Sequence, residues 1–143
     1  MIKIAECTKK DLPLLSVLWE KMIYEVMPIS NPSKELWIKH IEAYMEHHDF
    51  KAYKAIVSGV PIGYIAGMLF ADPAMSHIVA IGLEFYVLPE YRGDIGTRLY
   101  LKLVKLGKAR GAKEMRLICY KKSLSQWEQN NLDVMSYFVR KEL

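Results

Sequence analysis

Three observations predict a mixed α/β fold built around one mixed sheet. Strand-like runs and helical periodicities follow one another in the order β-α-α-β-β-β-α-β. An apolar run at 78–88 then passes through a short glycine-containing turn into an amphipathic helix. The 143 residues are 52% apolar and 25% charged, a balance typical of a globular chain with a real core. We expect residues 1–143 to form a single domain.

The N-terminal part predicts one strand followed by a helix. Residues 2–6 alternate in polarity as a short strand does. Thr8, followed three residues later by Asp11, is a helix-start pattern. Apolar residues then recur at helical spacing from Leu12, which predicts a helix to about Met27.

The middle of the chain predicts a second helix, a hairpin and a further strand. The helix follows the prolines and extends over about 33–47. The runs 52–57 and 62–70, separated by the turn Ser58-Gly-Val-Pro61, predict a β-hairpin. A strand at about 78–88 completes this part of the sheet.

The C-terminal part predicts one long helix and a shortened ending. The helix extends from about Ile95 to Arg110, with leucines on one face and basic residues on the other, and Gly111 ends it. A strand at 115–120 follows. Beyond it, residues 125–132 suit a short helix, and 136–141 suit one further strand.

The turn Arg92-Gly-Asp-Ile-Gly96 has the composition of a phosphate-binding site. The first amides of a helix have no acceptor within it, and the helix dipole adds partial positive charge there. Phosphate is therefore a common occupant of such a helix start. Arg92 adds a permanently charged donor. A glycine-containing strand-to-helix turn is also often only a turn, so the spacing alone leaves both interpretations open.

The residues around this turn carry a family resemblance. Phe85-Tyr-Val-Leu-Pro-Glu-Tyr-Arg-Gly, followed by Ile95-Gly96 and Leu99, closely resembles the acetyl-CoA-binding motif of the GNAT-type N-acetyltransferases. The resemblance covers about 1–120 in element order and 83–112 in motif. It implies a GNAT-like acyl-CoA N-acyltransferase fold, acetyl-CoA as co-substrate, and acetyl transfer to a primary amine by direct attack.

The same resemblance implies which residues would hold acetyl-CoA. The backbones of Phe85 and Val87 would face the pantetheine and the acetyl carbonyl, because backbone N–H donors are fixed and stay neutral. Their side chains are expected in the core. The cofactor-binding residues implied are Phe85, Val87, Arg92, Gly93, Asp94, Ile95, Gly96 and Thr97.

The turn departs from the family pattern, R-G-x-G-I-G-x-x-L, by being one residue shorter. When the two are aligned on Arg92, Ile95 and Thr97 stand where the family has glycines. Asp94 would repel a pyrophosphate beside it. Alternatively, Asp94 caps the helix, a position that Asp favours.

The C-terminal end departs as well. Asn130 falls where the family has a tyrosine that protonates the departing CoA thiolate. Only one strand fits the remaining residues, which leaves a sheet edge open to pairing in a homodimer. Together the departures favour an alternative function, a catalytically inactive GNAT-like binding or interaction module.

Glu84 is the candidate catalytic base because it interrupts the apolar run Ile81–Val87. A carboxyl buried on a central strand has a raised pKa and can take a proton near neutral pH. Many members of the resembled family carry an acid at this position. The alternative is a Glu84 side chain that faces solvent or pairs with a lysine. Candidate general acids, each equally explained as a buried hydrogen-bonded tyrosine, are Tyr86, Tyr120 and Tyr137.

The charge pattern favours acidic partners without choosing among them. The net charge is +4 and the sequence pI is near 9.0. The helical spacing of Arg98, Lys102, Lys105 and Lys108 suits a solvated outer face as well as a nucleic-acid site. Because no aromatic side chains that could stack on nucleobases alternate with these basic residues, we expect no nucleic-acid partner.

Further patterns exclude other classes. His47-His48, with Glu46 and Asp49, lacks the spacing of a metal site, so no metal is expected. No apolar run approaches the roughly 18–20 residues of a membrane span, and the first residues lack a secretory pattern.

The two cysteines, Cys7 and Cys119, are expected as buried free thiols in a reducing cytoplasm. By the resemblance, the loop 27–33 and the C-terminal strands would form the acceptor side. An open acceptor side would suit a protein or peptide amine.

Overall fold

The computed structural model describes residues 1–26 and 31–119, which form a mixed α/β fold in the predicted element order. The predicted bounds hold to within a few residues. Short 3-10 turns lie at Lys9–Asp11 and Pro89–Tyr91. The elements are β1 (Ile2–Glu6), α1 (Leu12–Val26), α2 (Lys34–Met45), β2 (Phe50–Val57), β3 (Val60–Asp72), β4 (His77–Val87), α3 (Asp94–Ala109) and β5 (Glu114–Leu117).

The five described strands form one sheet in the order β1-β2-β3-β4-β5. Neighbouring strands are antiparallel except β4 and β5, which are parallel and joined through α3. The β2–β3 turn is tighter than the predicted four-residue turn ending at Pro61. Ser58 and Gly59 both have positive φ, at 49° and 79°, so two residues suffice and β3 begins at Val60.

The two faces of the sheet carry separate apolar clusters. On one face α1 and α2 pack with side chains that include Leu15, Trp37 and Tyr64. On the other face the predicted apolar stripe of α3 is buried, including Leu99 and Leu103. Burying these stripes against both faces of the sheet is what stabilises the layers.

The cysteine prediction is half right. Both thiols are free, and Cys7 is buried. Cys119 is only half-buried, because it follows β5, the outermost strand of the described sheet. Within the described ranges, the helices are too short or too polar to cross a membrane.

The described pairing of β4 with β5 ends halfway along β4. Their pairing covers Val79–Gly82, and the last bond joins the Ile118 N–H to the Gly82 carbonyl oxygen at 2.9 Å. A register shift against β3 makes Leu83 an extra residue, a β-bulge. From Leu83 to Val87, β4 has no β5 partner among the described residues. Glu84 therefore lies on the part of β4 that has no β5 partner among the described residues.

Several predictions lie outside the described residues. They concern the tail at 125–132 and 136–141, the open C-terminal edge, Asn130, Tyr120, Tyr137 and most of the loop 27–33.

Candidate active site

Glu84 lies on β4 beside the β-bulge and faces the layer of α1 and α2. Its carboxylate accepts hydrogen bonds from the Trp37 Nε1–H, at 3.0 Å to Oε1 and 3.1 Å to Oε2. The Tyr64 hydroxyl donates a third bond, at 2.8 Å to Oε1. The two alternatives to a catalytic base, a Glu84 side chain that faces solvent and one that pairs with a lysine, are therefore wrong. The side chain is half-buried and hydrogen-bonded to Trp37 and Tyr64.

The environment of Glu84 raises its pKa above the ordinary value of 4.5. Burial is the largest cause, because it penalises the charged carboxylate. The bonds from Tyr64 and Trp37 and the charge of His40 act in the opposite direction. Burial has the larger effect, so this carboxylate has a higher proton affinity than an ordinary glutamate.

Beyond Glu84, the backbone groups of β4 point alternately towards β3 and away from it. The Leu88 N–H donates to the Ile62 carbonyl oxygen on the β3 side at 2.9 Å. Because backbone groups alternate along a strand, Phe85 and Val87 direct their N–H and C=O away from β3. Their side chains pack in the α3 cluster, as expected.

The turn after β4 starts α3 one residue earlier than predicted. Gly93 is the N-cap, with φ +107°, and Asp94 is the first helical residue. The interpretation of Asp94 as the cap is therefore wrong, because the glycine conformation of Gly93 already begins the helix. The first helical bond runs from the Thr97 N–H to the Gly93 carbonyl oxygen at 3.2 Å. The N–H groups of residues 94–96 therefore point out of the helix start.

Gly96 lies directly on the ring of Phe85. A Cβ at this position would lie 3.2 Å from the Phe85 Cζ atom, so a side chain would have to displace the ring. This packing fixes the first turn of α3 against β4. It places the outward-pointing N–H groups at the C-terminal end of β4.

Arg92 is held between β4 and α1. Its Nε–H donates to the Val87 carbonyl oxygen at 2.9 Å, and Nη2 donates to Glu25 Oε2 at 2.9 Å. The guanidinium also lies 5.4 Å from the centre of the Tyr86 ring. The side chain expected to bind phosphate is therefore engaged with α1 in this structure.

Tyr86, a candidate general acid, is buried on the face that α1 and α2 cover. Burial raises its pKa, and the neighbouring Glu25 raises it further. A hydroxyl with a raised pKa remains protonated at neutral pH. Its role as a proton donor stays a prediction.

Sequence reasoning missed Trp37, Tyr64 and Glu25. Helical spacing places Trp37 and Ile41 on one buried face of α2, a signal that the sequence does contain. The strand that Trp37 would contact depends on how α2 docks, which periodicity does not determine. Among the described residues, no group of three or more His, Cys, Asp and Glu side chains could hold a metal ion.

A family model of the acetyltransferase (GNAT) family matches residues 15–128, most of the chain. The chain belongs to the GNAT acetyltransferase family. The matched region contains the β4 strand, the turn and all of α3. No curated protein matches the sequence significantly.

Solved structures share the fold of this GNAT acetyltransferase at low identity. The predicted acetyltransferase of Clostridium acetobutylicum, solved with acetyl-CoA, has a TM-score of 0.83 and 15% identity, over 99% of this chain and 96% of that one. Ribosomal-protein-alanine N-acetyltransferase from Brucella melitensis has a TM-score of 0.78 and 18% identity, over 99% of this chain and 100% of that one. Glucosamine-6-phosphate N-acetyltransferase from Arabidopsis thaliana has a TM-score of 0.78 and 14% identity, over 99% of this chain and 98% of that one.

Proposed function

We propose that this GNAT acetyltransferase moves the acetyl group of acetyl-CoA to a primary amine, with Glu84 as the base. The observation that carries the proposal is the Glu84 carboxylate, which has a raised pKa and lies beside the β-bulge, just beyond the described pairing of β4 with β5. A raised pKa brings the proton affinity of a carboxylate closer to what general base catalysis near neutral pH requires.

The described residues at the C-terminal end of β4 suit acetyl-CoA, which supplies the acetyl group as an activated thioester. The outward N–H groups of residues 94–96 would bind the pyrophosphate, aided by the helix dipole. The backbones of Phe85 and Val87 point to the side where pantetheine and the thioester carbonyl would lie. Gly93 keeps the approach to the helix start free of a side chain, because an added Cβ there would meet open space.

Glu84 would accept the proton that the acceptor amine loses. An ammonium group has no lone pair, so the acceptor must lose a proton before or during its attack on the thioester. Among the described residues Oε2 accepts only from Trp37, which leaves a lone pair for the amine proton or an intervening water. Trp37 and Tyr64 would act as positioning residues that hold the carboxylate in one orientation.

The proposal specifies a primary amine on the acceptor but not the molecule that carries it. The two neighbours named for a ribosomal-protein alanine and for glucosamine-6-phosphate have equal TM-scores to this chain. The fold therefore does not determine the acceptor. A protein or peptide amine stays our prediction, and a preference for small polyamines over peptides would count against it. Cytoplasmic location and homodimer formation through the C-terminal sheet edge are likewise predictions.

The proposal is tested by thiol release from acetyl-CoA in the presence of peptide and polyamine acceptors. We expect Glu84→Gln to lower turnover by about 10²- to 10⁴-fold, the usual contribution of a general base. Glu35→Gln, an exposed position on α2, is the matched control and should leave turnover unchanged. Unchanged turnover in Glu84→Gln would rule out this mechanism.

A second candidate is a binding module that has kept the fold without turnover. It is favoured by the Asp94 carboxylate in the first turn of α3 and by the engagement of Arg92 with Glu25. In that case acetyl-CoA would bind, no acceptor would be acetylated, and Glu84→Gln would leave the biological effect intact.

A further inference from the structure

A hollow of about 520 Å³ lies between the outer strand β1 and the helix α3. None of the candidate site residues lines it. It therefore belongs to a different part of the surface from the proposed acetyl-CoA site, and the function proposed above does not use it.

The edge of β1 next to the hollow offers backbone groups for strand pairing. The Cys7 N–H donates to the Ala52 carbonyl oxygen of the β2 side at 2.8 Å. By alternation, Ile2 and Ile4 direct their N–H and C=O away from β2. The bond from Arg98 Nη2 to the Ile2 carbonyl oxygen, at 3.3 Å, agrees with this direction. Such an outward edge can pair with another extended chain.

The floor of the hollow is apolar. Ile2 and Ile4 contact the cluster beneath α3 and remain partly exposed, and Leu101 of α3 is 53% exposed. Side chains of an added strand alternate between its two faces, so every second one would point to the α3 side of the sheet, where both this floor and the α3 cations lie.

The rim of the hollow is positively charged. Its cations are Arg98, Lys102 and Lys105 of α3, whereas the side chain of Lys3 points to the opposite face of the sheet from Ile2 and Ile4. No acidic residue lines the hollow. In the described part of the chain, Lys102 and Lys105 have no carboxylate within ion-pair distance. These lysines are therefore available to an external anion.

We propose that this hollow binds an extended acidic peptide segment, which adds to β1 as a sixth strand of the described sheet. Outward backbone groups would supply affinity, and the acidic side chains on the α3 side would meet the rim cations, with their methylene groups over the apolar floor. A second copy of this chain is a poorer occupant, because it would bring the same cations to the contact. Nucleic acid is also poorer, because the hollow has no aromatic side chain on which a base could stack.

The test is fluorescence anisotropy with a labelled, terminally blocked heptapeptide of alternating glutamate and valine. We expect the whole chain to bind this peptide saturably. The equivalent peptide with lysine in place of glutamate should not bind. Lys105→Glu should weaken binding at least about fivefold, since it replaces attraction by repulsion. Lys108→Glu makes the same charge change one turn further along α3, outside the hollow, and should change binding less than about twofold.

Backbone methylation separates strand addition from simple charge attraction. The peptide is also made with N-methyl groups on all glutamates, or on all valines. Only one set of amides can face β1, so one methylated peptide should lose binding and the other should keep it. Equal binding of both would overturn strand addition.

Other results would also overturn the proposal. One is no peptide binding at millimolar concentration. A second is tighter binding of a thymidine dodecanucleotide that Lys105→Glu abolishes. A third is a concentration-dependent dimer, seen by light scattering, that Lys105→Glu dissociates. These readouts do not involve acetyl-CoA, so they are independent of the proposed function.

Discussion

The Tyr64 hydroxyl donates a 2.8 Å hydrogen bond to Oε1 of Glu84 across the pair of strands β3 and β4. The contact is diagonal, because Glu84 stands opposite Ala66 and Tyr64 stands opposite Tyr86. Tyr64 is 1% exposed, so its hydroxyl is fixed by the core rather than by solvent. The candidate base is thus oriented by a residue of the rigid sheet.

Tyr64→Phe should raise the pKa of Glu84 further, because the lost hydrogen bond favours the ionised carboxylate. We expect the acidic limb of the pH–rate profile to move to higher pH, and the free energy of unfolding to fall by about 1 kcal/mol. Tyr53→Phe is the control, since Tyr53 packs on the opposite face of the sheet. An unmoved limb in Tyr64→Phe would show that this bond does not tune the base.

The wild-type profile of kcat/KM against pH should itself carry the signature of Glu84. A base must be deprotonated to act, so activity should rise with pH. Because burial raises the pKa of Glu84, the midpoint of that rise should lie above 4.5. In Glu84→Gln the residual activity should lack this limb. A limb that persists in the variant would belong to another group.

Gly93→Ala should weaken acetyl-CoA binding, because alanine strains the backbone that starts α3. Gly93 has φ +107° and nothing within 4 Å of an added Cβ, so strain rather than a clash is the cause. We expect a loss of about 1–3 kcal/mol in stability. Gly59→Ala, at φ +79° and equally open, is the control. It should lower stability without changing acetyl-CoA affinity, and equal affinity losses in both would contradict a local role for Gly93.

Glu25→Gln tests what Arg92 does. We expect that Arg92 mainly holds the turn against α1 through its 2.9 Å ion pair with Glu25. Loss of this pair should then weaken acetyl-CoA binding by roughly two- to fivefold. If Arg92 serves the phosphates directly, the released guanidinium should tighten binding instead. Glu20→Gln, on the same helix and paired with Lys34 at 4.0 Å, is the matched control. Calorimetric titration distinguishes the two signs.

The sequence predicted what depends on local pattern. The stripe of Leu99 and Leu103 specified α3, and the alternating runs around Ser58 specified the hairpin. The interruption of an apolar strand by Glu84 marked this residue as the candidate base, although the sequence left open whether its side chain faces the core or solvent.

The partners of the site residues could not be predicted, because they are distant in the chain. Trp37 meets Glu84 across 47 positions, and Glu25 meets Arg92 across 67. These contacts depend on the docking angles of α1 and α2 on the sheet. Ridge packing between helices and strands determines those angles, and hydrophobic periodicity does not encode them.

The most direct test of the account is calorimetric titration of the protein with acetyl-CoA. The account predicts a dissociation constant in the micromolar range, about −8 kcal/mol in binding free energy. Glu84→Gln should retain this affinity, and Arg92→Ala should reduce or abolish it. No heat of binding at millimolar acetyl-CoA would contradict the account and would leave the turn at Gly93 as a structural turn only.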